Sequence, residues 1–141
     1  KIIPINAALG SKPGKIRISS SIDTGSTGGV YYGLGINGDI EVPMITLGQL
    51  INDYGIKPDI LKMDCEGCEY DIILNDYKYV KIFNEIIFEY HLYFSNYNVS
   101  ELIKVLKQDF KCKFVNEEIY RKYYKDYIKS NFGMMHCTKT R

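Results

Sequence analysis

The sequence predicts a single α/β domain over residues 1–141, on three observations. Of its 141 residues, 45% are hydrophobic and 25% are charged, which is the composition of an ordinary globular domain. Short apolar runs of strand length alternate along the chain with segments whose apolar residues recur at helical spacing. The connections between the strands are long enough to contain helices. This order favours crossover connections and a mainly parallel sheet.

The first predicted elements are strands. The apolar run at residues 2–9 predicts a short buried strand that ends in a turn. Residues 15–18 and 39–44 each alternate between apolar and polar side chains, so we expect them to pair as a hairpin at a sheet edge. Pro43 is tolerated at such an edge. Residues 19–38 are too rich in serine, threonine and glycine to form a core face and predict a long loop.

The central part of the chain predicts a helix, a strand and a second helix. Thr46 is suited to be the N-cap of a helix that ends at Gly55, because the apolar residues between them recur at helical spacing. Residues 60–65 form a compact apolar run and predict the central strand of the sheet. A helix is expected at residues 67–74.

The last third predicts a sheet edge. Residues 85–91 form a strong strand pattern, and Ser100 is the expected N-cap of an amphipathic helix. Residues 111–115 and 133–138 predict two short strands that form an antiparallel edge. Between them, the tyrosine-rich residues 117–128 are expected to form an amphipathic helix, although they could also stack on bases or a substrate.

The charge balance excludes some partners. Lysine and arginine outnumber aspartate and glutamate by 18 to 17, so no global field attracts the chain to nucleic acid or an anionic membrane. No apolar run reaches the roughly 18 residues that a membrane span requires. The opening residues do not resemble a signal or transit peptide. We therefore expect a cytoplasmic protein with neither nucleic acid nor membrane as its partner.

The four cysteines are expected to be free, buried thiols. They are too few and too unevenly spread for a disulfide framework, and lie at Cys65, Cys68, Cys112 and Cys137. A four-thiolate zinc site is an alternative, but such sites usually contain two close pairs of ligands. A redox role for the C-x-x-C is disfavoured because Glu66 and Glu69 would raise the pKa values of its thiols.

Polar residues cluster at the ends of two predicted strands. In open α/β sheets, ligands bind beyond the carboxyl ends of the strands. Lys62, Asp64 and Glu66 share one face of the first strand, and Glu89 and His91 share one face of the next. If these strands are neighbours, the carboxylates and the imidazole converge. They can then act as a base, as polar binding groups or as ligands for a divalent cation. The alternative is a salt-bridge network around Lys62.

The same residues resemble the hallmark of a known enzyme family. Residues 62–69 read Lys-Met-Asp-Cys-Glu-Gly-Cys-Glu, and the strand at residues 85–91 ends in Glu-Tyr-His. This pattern is similar to the K-x-D-x-E-G-x-E and E-x-H motifs of the FkbM family of S-adenosylmethionine-dependent methyltransferases. The matching residues are Lys62, Asp64, Glu66, Gly67, Glu69, Glu89 and His91. Residues 6–10 and 46–50 also resemble that family.

The resemblance implies a class I, Rossmann-like methyltransferase sheet that is mainly parallel with an antiparallel edge. Aligned this way, the chain covers the C-terminal two-thirds of the domain and lacks the first two strands. Their loss would leave unpaired sheet edges, through which copies of the chain could form a homo-oligomer. The runner-up interpretation is therefore a non-catalytic fragment or interaction module that retains the sheet but not the cofactor pocket.

The family also implies a reaction and a cofactor. By resemblance, S-adenosylmethionine is the cofactor, and its methyl group passes to a small-molecule acceptor, most simply a hydroxyl of a sugar, lipid or secondary metabolite. Asn6 and Ala7 are expected where the adenine edge rests. Asp64 is expected at the boundary between cofactor and acceptor.

The remaining hallmark residues receive catalytic roles. His91 and Glu66 are the expected base or acceptor-binding groups. Glu69 and Glu89 are expected to orient them, and Lys62 is expected to be an internal ion-pair partner. A metal site centred on an aspartate is compatible with these residue types, but nothing in the spacing demands one, so no metal ligand is assigned.

Overall fold

The chain forms a mixed α/β fold in the computed structural model, which describes residues 2–18, 40–65, 67–91, 98–115, 118 and 132–141. The strands are β1 (Ala8–Leu9), β2 (Gly14–Ile18), β3 (Ile40–Ile45), β4 (Ile60–Met63), β5 (Glu85–His91), β6 (Phe110–Phe114) and β7 (Phe132–Lys139). The helices are α1 (Leu47–Tyr54), α2 (Cys68–Asn75), α3 (Tyr77–Val80) and α4 (Val99–Leu106). The loop predicted at residues 19–38 lies outside the described residues, as does nearly all of the tyrosine-rich segment.

The strands form two sheets. One has the order β1-β3-β2 and the other the order β4-β5-β7-β6. β4 and β5 are parallel, whereas β7 is antiparallel to both β5 and β6, which confirms the expected antiparallel edge. Among the described strands, two of the five pairings are parallel. The α/β class is thus confirmed, the expectation of a mainly parallel sheet is wrong, and the Rossmann-like arrangement stays a prediction.

The smaller sheet contains the predicted hairpin. β2 and β3 pair in antiparallel register, with Lys15 opposite Pro43. β3 also pairs with β1, but only through its last two residues, so β1 does not extend alongside Pro43. The opening segment differs from the prediction of a buried strand, because Ile2 and Ile3 are exposed and only Ala8–Leu9 are in a strand. None of the other described elements covers those two side chains.

Local signals account for the ends of the helices. Thr46 and Gln49 form a reciprocal capping box at the start of α1, and Gly55 ends the helix with a φ of 59°, which a residue without Cβ adopts readily. α4 begins two residues earlier than predicted. Its N-cap is Asn98, which forms a capping box with Glu101, so the assignment of Ser100 as the cap is wrong. None of the helices in the described part of the chain is long and apolar enough to span a membrane.

The core lies between the four-stranded sheet and helices α2 and α4. β5 and β7 are the inner strands of this sheet, and each has a neighbouring strand on both sides. α2 contacts both β5 and α4, and α4 contacts β6. Burial of these apolar faces is the main stabilising term of the fold. The fully buried side chains include Ile72, Ile73, Ile86, Phe88, Leu102 and Leu106.

All four cysteines form disulfides, which corrects the expectation of free thiols. Cys65 pairs with Cys68 and Cys112 pairs with Cys137. The strand register places Cys112 directly opposite Cys137, with their Cα atoms 4.0 Å apart. The turn between β4 and α2 places the Cα atoms of Cys65 and Cys68 5.4 Å apart. Because metal binding needs thiolates, these disulfides also remove the four-thiolate zinc alternative.

Candidate functional site

The site lies where β4 and β5 end. These strands are parallel neighbours, and Met63 of β4 is in register with Phe88 of β5. Asp64 follows β4 directly, whereas Glu89 is the third-last and His91 the last residue of β5. Each of these three side chains has one oxygen or nitrogen atom that could bind a metal ion. The three atoms all lie within 4.8 Å of one another. The predicted convergence of carboxylates and imidazole at one sheet edge is therefore confirmed for these three residues.

His91 lies between two carboxylates. Its side chain is 10% exposed, and its Nε2 atom is 4.0 Å from Oε1 of Glu89. Its Nδ1 atom is 3.8 Å from Oε1 of Glu69. Each of the two ring nitrogens therefore has a carboxylate oxygen about 4 Å away.

Glu69 is the most buried charged residue of the site. Its side chain has no exposed surface, and it lies in the first turn of α2, where the helix dipole favours a negative charge. Its two carboxylate oxygens accept hydrogen bonds from the backbone N–H groups of Cys65, at 2.7 Å, and Gly67, at 2.8 Å. Gly67 adopts a φ of 113°, a conformation that glycine tolerates. Glu69 therefore closes the turn between β4 and α2 and also faces His91.

Lys62 is an ion-pair partner, but not an internal one. Its Nζ atom is 3.4 Å from Oδ2 of Asp64, and the two side chains are 46% and 50% exposed. The same ammonium donates a hydrogen bond to the carbonyl of Met63. The prediction of an internal lysine is wrong because β4 is at the edge of the described sheet rather than at its centre. An exposed pair of this kind contributes little to stability.

Two predicted site residues are not part of the group of Asp64, Glu89 and His91, and a third, Glu66, lies outside the described residues. Asn6 and Ala7 precede β1 and belong to the smaller sheet's opening segment, whereas Asp64 follows a strand of the larger sheet. The expected role of Asn6 and Ala7 at the adenine edge stays a prediction.

A second polar contact connects the opening segment to the larger sheet's helices. Ser11 donates hydrogen bonds from its backbone N–H, at 2.7 Å, and its hydroxyl, at 2.6 Å, to the two oxygens of Asp71 in α2. Asn75 donates a further hydrogen bond to Asp71. These groups line an open cleft of about 450 Å³ together with Lys12 and Met44. Sequence reasoning missed this contact because the partners are distant along the chain and neither belongs to a motif.

The comparison with protein families identifies the chain. Residues 3–115 match the model of the methyltransferase FkbM domain. The matched span contains the ends of β4 and β5 and the turn that Glu69 closes. The chain therefore belongs to the FkbM methyltransferase family, as the hallmark motif predicts. No curated protein and no solved structure matches it.

Proposed function

We propose that this chain takes part in S-adenosylmethionine-dependent methyl transfer to a hydroxyl group of a small-molecule acceptor, such as a sugar, a lipid or a secondary metabolite. The observation that carries the proposal is the family match, which spans the group formed by Asp64, Glu89 and His91. Membership in a methyltransferase family favours this function over a non-catalytic module.

His91 is the proposed base. The carboxylate of Glu69 faces Nδ1 and favours a proton on that atom, which leaves Nε2 to accept one. Nε2 lies on the side of the ring that faces Glu89. A hydroxyl group bound there could pass its proton to Nε2, and the two carboxylates would stabilise the resulting imidazolium. Glu66 keeps its proposed role as a base or acceptor-binding group.

Asp64 is the residue of the group formed by Asp64, Glu89 and His91 that we propose contacts the cofactor. When bound, S-adenosylmethionine supplies a methyl group that is made electrophilic by its sulfonium. The half-exposed carboxylate of Asp64 can accept hydrogen bonds from the hydroxyl and amino groups of such a ligand, so the chemistry of the residue fits. Asn6 and Ala7 are the proposed contacts to the adenine ring.

A cytoplasmic location and association of copies through an open sheet edge are parts of the same proposal. Disulfides are rare in reducing compartments, so the two disulfides of the structure count against this location. Fractionation of cells tests it, and recovery of the chain outside the cytoplasm would contradict this part of the proposal. Light scattering of the purified chain tests the association.

Calorimetric titration of S-adenosylmethionine, and of S-adenosylhomocysteine, tests the function. We expect one-to-one binding that weakens at least tenfold in Asp64→Asn, which corresponds to about 1.4 kcal/mol. Glu85→Gln is the matched control, because Glu85 begins the strand that Glu89 and His91 end and pairs instead with His136. Failure of both ligands to bind would contradict the proposal. Equal weakening in both variants would remove the role of Asp64.

A further inference from the structure

We propose that Asp64, Glu89 and His91 form a binding site for a divalent first-row transition cation, with Mn²⁺ as its probe. The role of the cation, to hold and acidify the acceptor hydroxyl, rests on the methyl transfer proposed above; in the cation-bound state Nε2 of His91 is a ligand, and the hydroxyl gives its proton to water instead of to His91. Cation binding itself does not depend on that function. Glu89 and His91 lie in β5 and Asp64 directly follows its parallel neighbour β4, so the register of the two strands brings the three residues together.

The distances suit a small cation after modest side-chain rotation. The three ligand atoms lie within 4.8 Å of one another. Around an octahedral cation with bonds of about 2.1 Å, neighbouring ligand atoms are about 3 Å apart and opposite ones about 4.2 Å apart. Asp64 is half exposed, so its carboxylate has room to rotate toward His91, whereas Glu89 is 24% exposed and already lies 4.0 Å from the ring. The exposed side leaves coordination positions for water or an acceptor oxygen.

The ligand types select the class of cation. Carboxylates suit Mg²⁺, Ca²⁺ and Mn²⁺, whereas imidazole suits transition metals such as zinc and iron. A set of two carboxylates and one imidazole lies between these groups and favours a transition cation that also accepts oxygen ligands. Mn²⁺ meets both conditions. Its paramagnetism allows binding to be measured directly.

The orientation of His91 supports the assignment independently of the three distances. Its Nε2 atom faces Glu89, while its Nδ1 atom faces the fully buried carboxylate of Glu69. Metal-ligating histidines usually present their second ring nitrogen to a carboxylate or a carbonyl, which fixes the ring and raises its basicity. Glu69 is itself held by the backbone N–H groups of Cys65 and Gly67. The buried ring therefore already presents Nδ1 toward a carboxylate without a cation.

The local charge also favours a cation. Three carboxylates lie near His91: those of Asp64 and Glu89 at the strand ends and that of Glu69 in the first turn of α2. The Lys62 ammonium is 3.4 Å from Asp64 on a half-exposed side chain, so it can move into solvent when a cation binds. A bound cation would reduce the repulsion between the carboxylates.

Titration of Mn²⁺ into the metal-free 141-residue chain, monitored by the electron paramagnetic resonance signal of free Mn²⁺, tests the site. We expect one ion per chain and binding at least tenfold weaker in Asp64→Asn and in His91→Ala. Asp64 is exposed, so its variant should fold even if the variant of the buried histidine does not. Glu85→Gln is the control, because the Glu85–His136 pair, at 2.9 Å, resembles Glu89–His91 at the opposite end of β5. It should bind Mn²⁺ like the unaltered chain.

Absence of stoichiometric binding at millimolar Mn²⁺ would overturn the proposal, and so would unchanged binding in Asp64→Asn. The titration contains no cofactor, which separates its outcome from that of the proposed function. Mn²⁺ binding that depends on Asp64 would support the site even if S-adenosylmethionine did not bind. Cofactor binding without Mn²⁺ binding would overturn the site and leave the function.

Discussion

Nδ1 of His91, at the end of β5, lies 3.8 Å from Oε1 of Glu69, in the first turn of α2. Both side chains are buried, and Glu69 also accepts the backbone hydrogen bonds that close the turn after β4. The same carboxylate therefore stabilises the turn and orients the imidazole. A change at Glu69 should affect stability as well as function.

Glu69→Gln should lower the free energy of unfolding by about 2–3 kcal/mol, because hydrogen bonds to a charged acceptor are worth about 1.5–3 kcal/mol each and glutamine can replace only part of them. Its amide NH₂ group would face a backbone N–H donor of Cys65 or Gly67. Urea denaturation at neutral pH measures the difference.

The control for this variant is Glu101→Gln. Glu101 also lies in the first turn of a helix and accepts a backbone N–H, at 2.9 Å from Asn98, but it is exposed. Glutamine serves equally well at this position of a capping box, as Gln49 does in α1. We expect a loss of less than about 0.5 kcal/mol. Equal losses in the two variants would show that the burial of Glu69 is unimportant.

The two disulfides should stabilise the fold unequally. On the loop-closure model, bridging Cys112 and Cys137, 25 residues apart, contributes about 3.5 kcal/mol, whereas bridging Cys65 and Cys68, three residues apart, contributes about 1.7 kcal/mol. The double variants Cys112→Ala/Cys137→Ala and Cys65→Ala/Cys68→Ala, compared by urea denaturation, test this order. Thiol titration of the unfolded, unreduced chain should find no free thiol. Detection of four thiols would contradict both disulfides.

The elements that could be predicted from the sequence are those with local causes. Thr46 and Gly55 bound a helix because the chain around them supplies both caps, and β5 has the predicted bounds of residues 85–91. Alternation also placed Glu89 and His91 on one face, next to Asp64. These signals depend on residues only a few positions apart.

What could not be predicted depends on strand order and register. The pairing of Cys112 with Cys137 follows from the register of β6 and β7, which no local pattern specifies. The exposure of Lys62 depends on which strand, if any, lies beside β4. The contact between Ser11 and Asp71 joins residues that are 60 positions apart.

Gly48→Ala should destabilise the chain although alanine favours helices. A Cβ atom at Gly48 in α1 would overlap the ring of Tyr79 in α3. We expect a net loss of about 1–3 kcal/mol, the usual cost of overpacking, despite a gain of about 1 kcal/mol in helix propensity. Thermal or urea denaturation measures the loss.

A matched glycine and a second substitution test the cause. A Cβ atom at Gly14 would meet its nearest neighbour, Cε of Met44, at an ordinary 3.8 Å, so Gly14→Ala should lack the steric loss. In a Tyr79→Ala background, Gly48→Ala should become neutral or stabilising. A loss that persisted in that background would show that the ring is not responsible.

Asp76 should make the free energy of unfolding fall as the pH rises. A salt-bridged aspartate has the opposite effect. Burial at the junction of α2 and α3 raises its pKa, and the neighbouring carboxylate of Asp71 adds to the rise. The ammonium of Lys78 and the backbone N–H of Gly48 oppose it without cancelling it. The folded chain thus binds this proton more tightly than the unfolded chain does. The charged carboxylate destabilises the fold as the pH rises above the usual aspartate range.

Asp76→Asn should therefore raise the urea midpoint at pH 7, because the amide removes the buried charge and keeps an acceptor for the N–H of Gly48. The gain should shrink as the pH falls and disappear below about pH 3.9, where an ordinary aspartate is itself protonated. Asp53→Asn, on the exposed surface of α1, is the control and should change stability by less than about 0.5 kcal/mol. A gain for Asp76→Asn that was equally large at pH 3.5 and pH 7 would show that charge burial is not its cause.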